Sequence, residues 1–115
     1  MRAGDTALID AARHGRAADV AALLADGADV NEPKTDGGGA TALFIACQES
    51  HDAVVVTLIA ANADVNQGVV DEKKFYSPLA IASTNGDVDI VKALVAANAK
   101  LSHDDRQRRV TRLPK

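Results

Sequence analysis

Three histidines, one cysteine, a run of three glycines and a basic C-terminal stretch are the parts of this 115-residue chain that could do chemistry. His14, His51 and His103 lie 37 and 52 residues apart, and none stands beside Cys47 at a spacing that closes a metal site. Cys47 sits in the apolar stretch Leu43-Phe44-Ile45-Ala46, a packing position rather than the electropositive surroundings a nucleophilic thiol needs. Gly37-Gly38-Gly39 lacks the following Lys-Ser/Thr of a phosphate-cradling loop and reads as a flexible connection. Asp29 and Asp64 recur within a repeated motif and do not form an acid/base pair. No catalytic residue, no metal and no cofactor are therefore expected, and the chain reads as a non-enzyme. Arg106, Arg108, Arg109, Arg112 and Lys115 could touch nucleic acid or an anionic membrane. That stretch has no aromatic residue on which a base could stack, and a tail in solvent or on the chain's own acidic surface is the better expectation. Neither nucleic acid nor membrane is the expected partner.

The bulk properties agree with a small helical unit. Hydrophobic residues make up 47%, aromatics only 3%, and 23 residues are alanine, which favours closely approaching helices over a β-sandwich. No apolar run reaches the roughly 18 residues needed to span a bilayer, and no charged-then-apolar leader is evident. A single cysteine rules out an internal disulfide and fits a reducing compartment, so the cytoplasm is expected, with the nucleus as the other option. The net charge of −3 conceals an asymmetry: residues 1–99 carry 7 Lys/Arg against 14 Asp/Glu, and residues 100–115 carry 6 against 2.

The elements that position these side chains come from a repeat. Thr6-Ala7-Leu8 is answered by Thr41-Ala42-Leu43 and Ser77-Pro78-Leu79, so the leucines recur at 35 and 36 residues. Gly27-Ala28-Asp29-Val30-Asn31 is answered at the same two offsets by Asn62-Ala63-Asp64-Val65-Asn66 and Asn98-Ala99-Lys100-Leu101-Ser102. Thr6, Thr41 and Ser77 are helix N-caps by type, and Pro78 fits a first helical position. Short helices are expected over 7–14, 42–49 and 78–85, broken at Gly15, Ser50 and Gly86. Second helices follow over 17–25, 53–61 and 88–97, with expected buried stripes Val20/Leu23/Leu24, Val55/Leu58/Ile59 and Val91/Leu94/Val95. Gly27, Asn62 and Asn98 fall where a left-handed C-cap residue belongs.

This pattern of helix start, break and closing Gly-Ala-Asp-Val-Asn resembles the ankyrin repeat over about residues 5–102. The resemblance implies an all-α, ankyrin-type solenoid of three helix-turn-helix repeats joined by extended hairpin-like loops. The repeats would span about 5–36, 37–72 and 73–105 in a domain of residues 1–102. Residues 103–115 are then a basic tail or the start of a truncated fourth repeat. The family's histidine after the leucine is replaced by Ile9, Phe44 and Ala80, and its proline by Ala7 and Ala42, which weakens the helix starts. The resemblance further implies partner contacts at the inner-helix ends: Arg13 and His14, Gln48 and Glu49, Thr84 and Asn85. Hairpin contacts map to Lys34, Thr35 and Asp36 and to Lys73, Lys74 and Tyr76, with Asp5 and Ala40 completing one concave strip. Phe75 joins them on its own account, because Phe75 and Tyr76 put two of the chain's three aromatics side by side in one junction. The alternative for these two rings is that they tuck back onto the inner helices.

Two further readings concern the ends of the stack. Asp10 occupies the slot of Ile45 and Ile81, and Asp19 that of Val54 and Ile90, so repeat one reads as a polar N-terminal cap. Repeat three keeps Ile81, Ile90, Val91, Leu94 and Val95 and reads as uncapped. Thr111-Arg112-Leu113 lies 34 residues after Ser77-Pro78-Leu79. A longer array, a folded-back tail and pairing with another chain all remain open there, with a monomer expected otherwise. The expected function is a non-catalytic scaffold that binds a protein or peptide partner on the concave strip. The alternative is a regulatory or inhibitory subunit whose basic tail engages an acidic target or nucleic acid.

Overall fold

The computed structural model describes residues 3–35 and 38–97. Asp36, Gly37, Asn98 and the whole 103–115 tail, with the expectations attached to them, lie outside the described residues. Six helices run in three antiparallel pairs: α1 (Ala7–Arg13) with α2 (Ala17–Ala25), α3 (Ala42–Gln48) with α4 (Asp52–Ala60), and α5 (Pro78–Asn85) with α6 (Val88–Ala96). The pairs stack in order, α1 on α3 on α5 in one layer and α2 on α4 on α6 in the other.

The inner helices start as the sequence predicts. Oγ1 of Thr6 accepts from the Ile9 amide at 3.1 Å, Oγ1 of Thr41 from Phe44 at 3.3 Å, and Oγ of Ser77 from Ala80 at 3.0 Å. Each bond satisfies one of the orphan amides of a first turn. The absence of the family's histidine therefore leaves the caps in place. The inner helices end where Gly15, Ser50 and Gly86 turn left-handed at φ of +72°, +59° and +73°. Gly15 has a second reason to be glycine: a Cβ there would sit 2.8 Å from Nδ1 of His51. Gly27 and Asn62 take up the left-handed C-cap conformation at φ of +101° and +68°. Boundaries shift by one residue, with His14 and Glu49 acting as C-caps and α4 starting at Asp52.

The core runs through the middle of the stack. Ile9, Leu43, Val54, Val55, Leu58, Ile90 and Leu94 are fully buried. The outer-helix stripes differ from expectation by one position. Val54, Val55 and Leu58 are buried on α4, while Ile59 is half-buried, and Val95 on α6 is 56% exposed. Burial at equivalent slots gives the reason. Asp19 is exposed where Val54 and Ile90 are buried, so this slot faces the preceding repeat. Val20 and Val55 are buried where Val91 is half-buried, so that slot faces the following repeat. The first repeat thus presents Asp10 and Asp19 at the slots that the later repeats fill with Ile45, Val54, Ile81 and Ile90. Ile81 and Ile90, read from sequence as part of an uncapped end, instead face back into the stack. Among the described residues, Ala80, Ser83, Val91 and Val95 take the slots that face a following repeat.

One junction is more ordered than a loop. Val69–Asp71 (β1) and Lys74–Tyr76 (β2) form an antiparallel hairpin pairing Val69 with Tyr76, Val70 with Phe75 and Asp71 with Lys74. The two-residue turn holds Glu72 at φ +49° and Lys73 at φ +71°. Such a turn follows the twist of the strands, but it is ordinarily built from Asn-Gly because both residues lie in the left-handed region.

Candidate functional site

Asp5, Arg13 and Lys34 were expected on the binding strip, yet they are engaged with each other. Nε–H and Nη2–H of Arg13 donate to the two carboxylate oxygens of Asp5 at 3.1 and 3.0 Å. The Lys34 ammonium donates to Oδ1 of Asp5 at 2.7 Å. Side-chain exposure is 0% for Asp5, 7% for Arg13 and 12% for Lys34. The Arg13 guanidinium, helped by Lys34 and opposed by desolvation, lowers the Asp5 carboxyl to about 2. The same carboxylate raises Arg13 above its ordinary value. Asp5 and Arg13 are therefore not surface contacts in this state, and Ala40 is buried as well. The physical reason is proximity: the segment before Thr6 lies along the junction, where the Thr35 amide donates to the Gly4 carbonyl at 2.9 Å.

Asn85 also has a structural role. Its side-chain amide donates to the carbonyls of Cys47 and Gln48 at 3.3 and 3.0 Å, closing the C-terminal end of α3 from the next repeat. His51 makes the corresponding tie one repeat earlier: its Nε2 lies 3.0 Å from the Arg13 carbonyl, which can only accept, so Nε2 carries the proton. Along the outer-helix ends, Asn31 Oδ1 accepts from the Asp64 amide at 2.7 Å, and the Gln67 side chain donates to the Asn31 carbonyl at 3.2 Å. None of these ties was named from sequence. The recurring Asn of the closing motif was the available signal for the Asn31–Asp64 bond.

What stays open to solvent is a narrower set. His14, Thr35, Gln48, Glu49, Lys73, Lys74, Thr84 and Asn85 are exposed. The aromatic pair divides as the antiparallel pairing requires, because neighbours along a strand point to opposite faces. Tyr76, opposite Val69, packs against the core with it. Phe75 lies opposite Val70 on the other face, and its ring approaches Gly68 so closely that a Cβ there would be 2.9 Å from Cζ. Val70 is 63% exposed. The hairpin thus offers an apolar Val70–Phe75 pair, with Glu72, Lys73 and Lys74 around its tip.

Cys47 is buried and its thiol is pushed up to about 12, chiefly by desolvation and then by Asp87. His14 contacts its own helix through the Asp10 carbonyl, 2.9 Å from Nδ1. Among the described residues no group of three or more His, Cys, Asp or Glu is placed to hold a metal ion, and no helix is long and apolar enough to cross a membrane.

Comparison with known families gives two matches that together follow the stack. The family model described as ankyrin repeats (3 copies) matches residues 33–105, and that described as ankyrin repeat matches residues 3–35. Among curated proteins, none matches the chain. Ankyrin repeat proteins are generally non-catalytic modules of protein–protein interaction. With capped inner helices, left-handed breaks and stacked pairs all in place, the chain belongs to the ankyrin repeat family.

Proposed function

We propose that this chain is a non-catalytic scaffold that binds a protein or peptide partner through its inner-helix ends and second hairpin. The contact surface is His14, Gln48, Glu49 and Thr84 together with Val70, Lys73, Lys74 and Phe75. The observation that carries this reading is the hairpin itself. It holds a turn of two left-handed non-glycine residues and keeps Val70 exposed beside Phe75. Strained backbone and exposed apolar pairs at a loop tip are features that binding, rather than stability, accounts for. The mixed charge around the tip, Asp71 and Glu72 against Lys73 and Lys74, suits a polar rim about an apolar contact. A single free cysteine and no disulfide partner fit a reducing compartment, the cytoplasm or nucleus.

The test is affinity capture with residues 1–115 as bait beside the triple variant Glu49→Lys, Val70→Asp, Lys74→Glu. All three residues are exposed, and Val70 also shares a face of the hairpin with Phe75. Circular dichroism of the variant therefore accompanies the assay. A partner held by the native chain and lost by the folded variant supports the reading. Equal retention on both baits contradicts it.

A further inference from the structure

The Asp5, Arg13 and Lys34 cluster is not something the repeat needs in order to fold. The position of Asp5 is taken by Ala40 and Tyr76 in the next two repeats, and that of Arg13 by Gln48 and Thr84. The same inner helix, with the same hydroxyl cap, forms in all three repeats. What the cluster does make is an oxyanion cradle. A guanidinium grips both oxygens of a carboxylate and an ammonium takes a second bond to one of them. A planar fork plus a point charge is the arrangement proteins use to recognise an acidic group on a ligand. Here it is filled by the chain's own Asp5. The segment that carries Asp5 turns at Gly4, where φ is +84°, and lies beside the first junction with the Gly4 carbonyl accepting from the Thr35 amide.

We propose that Arg13 and Lys34 form a carboxylate-binding site for an acidic peptide segment, and that the N-terminal segment occupies this site as a built-in competitor. The proposal deepens the reading above, on which it rests, by naming the partner's chemistry: an aspartate or glutamate in a peptide segment that takes the place of residues 3–5. An arriving peptide gains the fork, the ammonium and the Thr35 amide only when Asp5 withdraws. The tethered Asp5 is always at hand, so it lowers the apparent affinity of any acidic partner by the fraction of time the site is open.

The test uses the full 115-residue chain and a fluorescein-labelled peptide, acetyl-Ala-Gly-Asp-Thr-amide, copied from residues 3–6. Fluorescence anisotropy at low salt compares the native chain with Asp5→Ala. Asp5→Ala should bind the peptide at least about tenfold more tightly than the native chain, since the internal competitor is gone. The expected gain is abolished in Asp5→Ala combined with Arg13→Gln, and with a peptide carrying Asn in place of Asp. Acetate should compete with the peptide; displacement by inorganic phosphate and not by acetate would identify a phosphate site and overturn the carboxylate assignment. A folded Asp5→Ala that binds no better than the native chain would also overturn it. Asp5→Asn serves as a second, shape-conserving variant. If both variants lose the helix stack by circular dichroism, the cluster is a folding element and the proposal fails. The peptide probe reads the cluster without Glu49, Val70 or Lys74, so its failure leaves the hairpin surface standing.

Discussion

At the scale of single residues, two carboxylates pull stability in opposite directions. Asp5 is lowered from 3.8 to about 2 by the Arg13 guanidinium, against desolvation and with help from Lys34. Between those values the unfolded chain binds more protons than the folded one, so the contribution of Asp5 is full above about pH 4 and lost as pH falls through about 2. Asp5→Asn should cost about 2 kcal/mol at pH 7, because two nearly buried cations then face a neutral amide. Urea unfolding should show this cost shrinking between pH 5 and pH 2.5. Asp52 behaves in the opposite sense. Partial desolvation at the start of α4, then hydrogen bonding to and repulsion by Asp87, raise its pKa above the ordinary value. The folded state therefore holds the proton more tightly, and the ionised pair is a destabilising feature that acidification relieves. Asp52→Asn should raise the unfolding midpoint modestly at pH 7, and the gain should fade as pH is lowered toward the ordinary carboxylate range. Neither behaviour was legible in the sequence. Asp5 and Arg13 are eight residues apart and Lys34 is 29 beyond Asp5, so their meeting depends on how the junction lies.

At the scale of elements, the helices were legible from local chemistry, whereas the hairpin was expected through the family resemblance alone. Cap type, spacing of leucines and a left-handed break define each inner helix from local chemistry alone, and the bounds hold to within a residue. The stretch Val69 to Tyr76 lacks Asn-Gly, so nothing in it announces a tight turn. Its pairing follows from tertiary context: Tyr76 and Val69 rest on the core, and Gly68 leaves room for the Phe75 ring and the Tyr76 carbonyl. Replacing Glu72-Lys73 by Asn-Gly should stabilise the chain by about 1 kcal/mol, since both residues then adopt φ > 0 at little cost. Thermal unfolding checks this. If the tip contacts a partner, the same change should weaken binding while raising stability. The candidate site was legible in part for the same reason. His14, Gln48, Glu49, Lys73, Lys74 and Thr84 are exposed as their repeat positions imply, whereas Asp5, Arg13, Ala40 and Asn85 are drawn into ties that repeat position alone does not reveal.

At the scale of the whole molecule, the stack has a direction. Each repeat receives the next on one set of slots and meets the previous one on another. Asp10 and Asp19 make the second set polar where the first repeat has no predecessor among the described residues. Val54→Asp, which copies Asp19 into a buried interface slot, should destabilise by about 3 kcal/mol or more, because it places an unpaired charge among buried side chains. Asp19→Val at the exposed equivalent should change the urea midpoint little. The same directionality separates the layers by role. Inner-helix ends and the hairpin present polar and aromatic groups of mixed character. The outer helices α2, α4 and α6 present mostly alanine and valine with few charges. The central claim, that a protein partner is met by inner-helix ends and hairpin, is tested most directly by amide hydrogen exchange on the chain alone and with its captured partner. Protection confined to residues 13–15, 34–35, 48–50, 69–76 and 84–86 is the result predicted. Protection on α2, α4 and α6 with an unchanged hairpin would contradict it.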